Sequence, residues 1–167
     1  MNSIIISFLS EAGKQIIYEV LNDTYSLIKD SIQNPKVNNC LTELDLIADL
    51  QVIEALVRDV TLTEQHKRES IEVALTNVKE ILTIIKNELQ LVQTELVIHE
   101  NRYFSKYREP NIGPYLENLI CHKTILDKRV TLLMEMLTID HSIASTKSSS
   151  INFEFPLVRE SSSATVG

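Results

Sequence analysis

The 167-residue chain has few of the residues that turns and cofactor sites need: 3 Gly, 4 Pro, 2 Cys and no Trp. Glycine and proline together fall far below the roughly 12% of an average protein. Because β-sandwiches and doubly wound α/β enzymes place glycine at many turns, both classes are disfavoured. The sequence also lacks a Gly-rich phosphate loop and a cysteine cluster. We therefore expect a non-catalytic protein with no cofactor and no metal.

Positive charge is also scarce, since 16 Lys and Arg face 23 Asp and Glu for a net charge of −7. A general nucleic-acid binder would show a basic face, so no nucleic-acid partner is expected. No run approaches the ~20 apolar residues of a spanning helix, and no basic residue precedes the apolar N-terminal run, as it would in a signal peptide. These absences predict an intracellular protein that is cytoplasmic or peripheral to a membrane.

What the chain does have is Leu and Ile at helical spacing, within a composition that is 44% hydrophobic. The periodicity predicts four helices, over residues 3–33, 41–60, 64–108 and 114–140. Asn34-Pro35 ends the first helix, and Asn39 or Thr42 caps the second. Short connections favour antiparallel neighbours. The predicted fold is all-α, an antiparallel up-down-up-down four-helix bundle over residues 1–140.

The third helix carries the longest heptad pattern in the sequence. Its apolar seam is Ile71, Leu75, Val78, Leu82, Ile85, Leu89, Val92, Leu96, His99 and Tyr103. The fourth helix repeats the pattern with Leu116, Leu119, Lys123, Leu126, Val130, Leu133 and Leu137. Such spacing favours near-parallel packing of the two helices. Within the seam, His99 is interpreted as a polar residue that sets the register, and Lys123 as one that extends toward water at the bundle end.

Residues 141–167 differ from the rest because 8 of the 27 are serine and no helical period continues. This composition predicts a flexible, disordered C-terminal tail. Residues 151–158 alternate between apolar and polar side chains, which is typical of an extended segment that docks either on the bundle or on a partner.

The histidines and cysteines do not show the spacing of a metal or nucleophile site. A di-iron bundle uses Glu-x-x-His twice, but Leu96 and Leu119 stand three residues before His99 and His122. Cys121 and His122 are adjacent, so on a helix their side chains point about 100° apart. The simpler interpretation, in which the histidines are hydrogen-bonded at the core or its rim, is favoured over a metal or nucleophile site.

Two surfaces stand out as candidates for binding. One is basic and aromatic, at the end of the third helix, and it would hold an anionic headgroup or an acidic partner. It consists of Arg102, Lys106 and Arg108, joined by Lys128 and Arg129 of the following helix. In the alternative interpretation these cations only complement the negative end of the helix dipole.

The second surface is the apolar N-terminal edge, where Ile4, Ile5, Phe8 and Leu9 fall on more than one side of a helix. A helix that is apolar on several sides is buried or inserts into something. These residues would contact a membrane or a partner, or, in the simpler alternative, pack against the long third helix.

The overall residue pattern of three segments resembles that of small helical proteins of giant DNA viruses and protists. They are SEAGKQIIYEVLNDTYSLIKDSI, LTELDLIADLQVIEALVRDV and LDKRVTLLMEML. The architecture is more distantly similar to the HeLo-type bundles of fungal cell-death proteins, plant resistance proteins and the necroptosis pseudokinase. That second resemblance implies an N-terminal helix that perturbs membranes, whereas the first implies no activity.

Together these patterns predict a helical interaction protein that binds an unidentified protein partner or forms a homo-oligomer. The alternative is a peripheral membrane-binding bundle that acts through its N-terminal helix.

Overall fold

The computed structural model describes residues 11–62, 69–103 and 105–149, and every regular element in these ranges is helical. The all-α prediction is therefore confirmed for this part of the chain. The five α-helices are α1 (Glu11–Ser31), α2 (Pro35–Glu43), α3 (Leu46–Leu62), α4 (Glu69–Glu100) and α5 (Gly113–Ser149). A single 3-10 turn covers Ser105–Tyr107.

The predicted second helix is two helices, and its predicted caps are wrong. Asn34 caps α2, because its side chain accepts hydrogen bonds from the backbone amides of Lys36 and Val37 at 3.0 and 3.3 Å. Pro35 then occupies the first turn, where its missing N–H costs nothing. Asp45 separates α2 from α3 with a φ of 49°, a left-handed conformation that no helix continues through.

The long helix ends earlier than predicted, at Glu100 rather than near residue 108. The side chain and the backbone amide of Asn101 both donate to the Val97 carbonyl, at 2.9 and 3.2 Å. After the helix end, the Arg108 carbonyl accepts a hydrogen bond from Nε2 of His99 at 2.7 Å, which closes the turn. Tyr103, predicted for the apolar seam, is instead 90% exposed.

The last helix runs longer than predicted, from Gly113 to Ser149 instead of ending near Asp140. Residues 141–149, assigned from composition to the flexible tail, therefore continue α5. The remaining tail residues, including the 151–158 segment, lie outside the described residues, as do Ile4, Ile5, Phe8 and Leu9.

The core forms mainly around α4, which packs against both α1 and α5. Its buried residues recur at intervals of three and four, as do those of α5. On α4 they are Ile71, Ala74, Leu75, Val78, Ile81, Leu82, Ile85, Leu89 and Val92. On α5 they include Leu119, Leu126, Val130 and Leu133. α3 completes the core through contacts with α1 and α5, and α2 contacts α1 and α3.

Two ion pairs show which ends of the helices lie together. Lys86 of α4 donates to Asp23 of α1 at 3.3 Å. Lys36, at the start of α2, pairs with Glu109 in the segment before α5. The C-terminal ends of α1 and α4 therefore lie at the same end of the molecule. Although α3 and α4 are consecutive, their described residues share at most a marginal contact, which differs from the expectation that sequence neighbours pack together.

Candidate interaction surface

The basic residues predicted to form one patch are divided in the structure. Arg102 follows the end of α4 and lies 3.6 Å from Glu95 of that helix. The Arg108 side chain is exposed. Lys128 and Arg129 are about 24 Å further along α5 from Gly113, at 1.5 Å per residue. The Lys106 side chain lies outside the described set. The structure therefore places Arg102 and Arg108 apart from Lys128 and Arg129.

Arg129 joins two helices instead. Its guanidinium donates to the Asn77 carbonyl of α4 and lies 3.8 Å from Glu80. Two-thirds of its side chain is buried in these contacts. Arg129 is thus a structural residue of the α4–α5 packing, whereas its neighbour Lys128 is exposed.

Lys123 is the second basic residue that holds helices together. Its ammonium donates to both carboxylate oxygens of Asp127 at 2.7 and 2.9 Å, and it forms an ion pair with Asp49 of α3 at 2.7 Å. Only 13% of its side chain is exposed, so it does not extend toward water at a bundle end as predicted. Burial alone would lower the pKa of Lys123, but the contacts with Asp127 and Asp49 raise it above its usual value.

The described start of α1 lies far from Arg102 and Arg108. α1 begins at Glu11 and spans about 30 Å before it reaches the end of the molecule that holds Glu109, Arg102 and Arg108. The predicted apolar N-terminal surface lies outside the described residues.

The structure exposes a set of apolar side chains that the sequence interpretation missed. On α4 they are Ile84, Leu91 and Ile98, and on α5 they are Ile125, Leu132 and Ile139. Within each row the residues are seven apart, so each row follows one side of its helix. All six side chains are between 39% and 55% exposed. The spacing was present in the sequence as a second heptad row offset from the buried seam.

Two polar contacts place both rows on one face of the molecule. Glu80 reaches Arg129 at 3.8 Å, and Glu88 accepts from Asn118 at 3.4 Å. Ile84 lies one helical turn from each of these glutamates. Ile125 lies one turn before Arg129 and two turns after Asn118, so both isoleucines flank the same groove. We call this surface, formed by the two rows, the α4–α5 face.

The charges around the α4–α5 face differ between its two helices. On α4 the neighbouring charged residues are Glu80, Glu88 and Glu95. On α5 the exposed Lys128 lies between Ile125 and Leu132, and the exposed Glu117 and Glu135 lie on the same side of the helix. The exposed thiol of Cys121 also lies on this side of α5, one turn before Ile125. Negative charge therefore borders the face on both helices, and α5 adds one lysine.

Other kinds of site find little support in the described ranges. No group of three His, Cys, Asp or Glu side chains is placed to hold a metal ion there. In the same ranges no helix combines the length and the apolar character that crossing a membrane requires. Burial, together with the nearby Glu43, raises the pKa of the Cys40 thiol, which makes a reactive thiolate less favourable.

Comparisons with protein families, with curated proteins and with solved structures find no match to this chain.

Proposed function

We propose that this protein is a non-catalytic helical interaction protein that self-associates through the α4–α5 face. The observation that carries the proposal is the pair of heptad-spaced apolar rows exposed together on that face. Scattered apolar residues are normal on a protein surface, but a contiguous apolar patch marks an interaction site. Apolar residues spaced seven apart on a helix are the pattern with which helices pack against further helices. The two rows meet at Ile84 and Ile125 and continue from there toward opposite ends of the molecule.

The same proposal includes the arrangement of the helices as an up-down-up-down four-helix bundle of α1, α3, α4 and α5, with α2 at one end. Asp23 contacts Lys86 and Lys36 contacts Glu109, so residue numbers rise together along α1 and α4. Between α4 and α5 they run in opposite directions, as the contacts of Glu80 and Glu88 indicate. The ring order that fits these contacts is α1–α4–α5–α3.

The α4 side of the α4–α5 face extends about 38 Å from the exposed Val73 to Ile98, and the α5 row extends about 21 Å from Ile125 to Ile139. Each helix presents a strip about 10 Å wide, so the two sides together offer roughly 600 Å². A stable protein interface buries about 800 Å² on each partner. Residues next to the two rows therefore also contribute to a stable contact.

The use of charged side chains for packing inside the fold supports an interaction protein over an enzyme. Lys86, Lys123 and Arg129 each pair with a carboxylate on another helix, so these cations are engaged in packing. We also infer an intracellular location, because both cysteines are free and Cys121 is exposed. Reducing compartments keep such thiols unpaired.

Sedimentation velocity and light scattering over a range of concentrations test the proposal. We expect a mass that rises with concentration for the unmodified chain, and a monomer for Leu91→Asp. Val52→Asp is the matched control, because Val52 is exposed to a similar degree on α3 and lies outside the face. Circular dichroism melts of all three should be similar, because each substituted side chain is exposed.

A strict monomer at high micromolar concentration would overturn the proposal. Sedimentation of the chain with anionic vesicles, lost on removal of residues 1–10, would favour the peripheral membrane-binding function expected from the N-terminal residues instead.

A further inference from the structure

We propose that residues 151–158 fold back and dock, within the same chain, in an open pocket on the outer side of the second half of α5. This inference does not rest on the proposed self-association, because it concerns a contact within one chain. It assigns a partner to apolar side chains of α5 that the packing of the five helices leaves exposed.

The pocket lies along one side of α5 and has a volume of about 430 Å³. Its described lining residues are Thr131, Met134, Glu135, Thr138 and Ile139. Their spacing of three and four residues places them on one stripe that covers about two turns of the helix. Met134 and Ile139 are 39% and 55% exposed, and Glu135 alone among the five is charged. The stripe is therefore mainly apolar although it faces water.

The pocket shares only one residue with the α4–α5 face. Ile139, the last residue of the α5 row, lines the pocket, whereas Ile125 and Leu132 are not among its described lining residues. A helix that is apolar on several sides is normally covered on those sides. α5 therefore has room for a second contact beside the surface proposed for self-association.

The chain that follows α5 is long enough to reach the pocket. α5 ends at Ser149, and Met134 lies about 23 Å back along the helix, at 1.5 Å per residue. In an extended conformation residues 150–157 cover about 26 Å, at 3.3 Å per residue. The segment can therefore run back along α5 as far as Met134, even when its first residue is used to reverse the direction of the chain.

The order of residues in the segment matches the pocket. With the reversal at Ser150, Phe155 falls level with Thr138, and Leu157 falls level with Met134. Alternate residues of an extended chain share one side. The side that holds Phe155 and Leu157 also holds Ile151 and Phe153, so an apolar edge of the segment faces the apolar stripe of α5.

The chemistry of the segment and its attachment to α5 favour it over a separate partner. Methionine adapts its shape and makes favourable sulfur–aromatic contacts, so Met134 suits a phenylalanine. Glu154, the one charged residue of the segment, lies on the side that faces away from α5 and from Glu135. Because the segment follows α5 directly, its effective concentration at the pocket is about millimolar. A separate protein would have to reach a similar concentration to displace it.

Fluorescence gives the first test, because the chain contains no tryptophan and Phe155→Trp therefore supplies a single probe. We expect acrylamide to quench this probe at least about twofold less efficiently than the probe of Glu154→Trp, which lies on the opposite side of the segment. The difference should disappear in urea. It should stay the same over the concentration range used for sedimentation, because the contact is within one chain.

A substitution in the pocket gives the second test. Thr138→Asp should release the segment, because it places a short charged side chain in the centre of the apolar stripe. Thr124→Asp is the matched control, since both threonines are exposed on one side of α5 and each donates to the carbonyl four residues before it. Chymotrypsin cleavage after Phe155 should be at least about tenfold faster in Thr138→Asp and unchanged in Thr124→Asp, because cleavage follows the undocked population.

Circular dichroism checks that both aspartate variants are folded. Thr131→Asp, exposed in the same pocket, takes the place of Thr138→Asp if that variant unfolds. Equal quenching of the two tryptophan probes, or equal cleavage of the pocket variant and its control, would overturn the inference. Protection that rises with protein concentration, or that is lost in a monomeric Leu91→Asp chain, would assign the contact to a second copy and would overturn docking within one chain. Protection retained in monomeric Leu91→Asp supports the inference separately from self-association.

Discussion

The ammonium of Lys123 lies 2.7 Å from Oδ2 of Asp49 and so joins α5 to α3 through a charge that the sequence places in an apolar seam. The same ammonium donates to Asp127 one turn along its own helix. Since only 13% of the lysine side chain is exposed, the two carboxylates supply the polar contacts that water no longer provides. This lysine therefore belongs to the core, not to a ligand site.

Lys123→Met should lower the free energy of unfolding by about 1–2 kcal/mol, because Asp49 loses a charged partner while it is itself largely covered. Urea unfolding at pH 7 measures the effect. Lys29→Met, on the exposed side of α1, is the control and should change stability by less than about 0.5 kcal/mol. Equal losses in the two variants would mean that the ion pair contributes nothing.

The contribution of Lys123 should also depend on pH at the alkaline end. Its pKa is raised in the folded state above the usual 10.5, so the stabilisation is present below pH 10.5 and is lost as the pH rises through the folded pKa. The difference in unfolding free energy between the unmodified chain and Lys123→Met should therefore shrink above about pH 10.5.

Tyr25 titrates in a neighbouring range, since burial and then the charge of Glu54 raise its pKa above 10.0. Because both proteins contain Tyr25, its effect cancels when their unfolding free energies are subtracted. A difference that stays constant from pH 7 to 11.5 would contradict the assignment to Lys123.

Asn34→Ala should lower the free energy of unfolding by about 1 kcal/mol, because the first amides of α2 lose their acceptor. Asn39→Ala, at an exposed position within the same helix, should be neutral or slightly stabilising. Thermal melts of the two variants measure the contrast. A larger loss of stability for Asn39→Ala than for Asn34→Ala would contradict the Asn34 cap and favour Asn39, a cap that the sequence predicted.

At Asp45, glycine should be more stable than valine, which is the opposite of the order expected at a position within a helix. Its φ of 49° suits glycine, so Asp45→Gly should leave stability unchanged or raise it by up to about 1 kcal/mol, and Asp45→Val should lower it by about 1–2 kcal/mol. At the helical Asn39, valine should be tolerated at least as well as glycine. The same ranking at both positions would argue that α2 continues into α3.

Leu89→Asp should abolish cooperative unfolding, because Leu89 is fully buried and an unpaired charge there has no partner. The adjacent Gln90 is exposed, so Gln90→Asp should change stability by less than about 0.5 kcal/mol. Differential scanning calorimetry distinguishes the two outcomes. A retained transition for Leu89→Asp would show that the buried row of α4 does not hold the core together.

Periodicity predicted the helical class and the buried rows well, because burial on a helix repeats every three to four residues whatever the partner is. It did not predict the break at Asp45, since aspartate is an ordinary helix residue and only the backbone of the folded chain requires a left-handed conformation there. It also extended α4 past Glu100, because the side-chain donors of Asn101 and His99 bind backbone carbonyls through contacts that residue spacing does not reveal.

The candidate site was predicted less well than the fold. Residues close in sequence suggested a basic patch, but helix geometry separates Arg108 from Arg129 and uses the latter in packing. The exposed rows of Ile84 and Ile125 were visible as heptads, yet the stronger buried heptads nearby accounted for the apolar pattern on their own. Only the placement of α4 beside α5 shows that the two rows share a surface.

The packing of α1 against α4 has a consequence for how the chain is made. Asp23 and Lys86 are 63 residues apart, and the two helices that come between them, α2 and α3, each offer α1 a much smaller contact. A ribosome-bound chain that ends before α4 therefore holds an α1 whose principal apolar partner has not yet been synthesised. Stable structure should appear late in translation, and until then the apolar side of α1 is a surface on which chaperones can act.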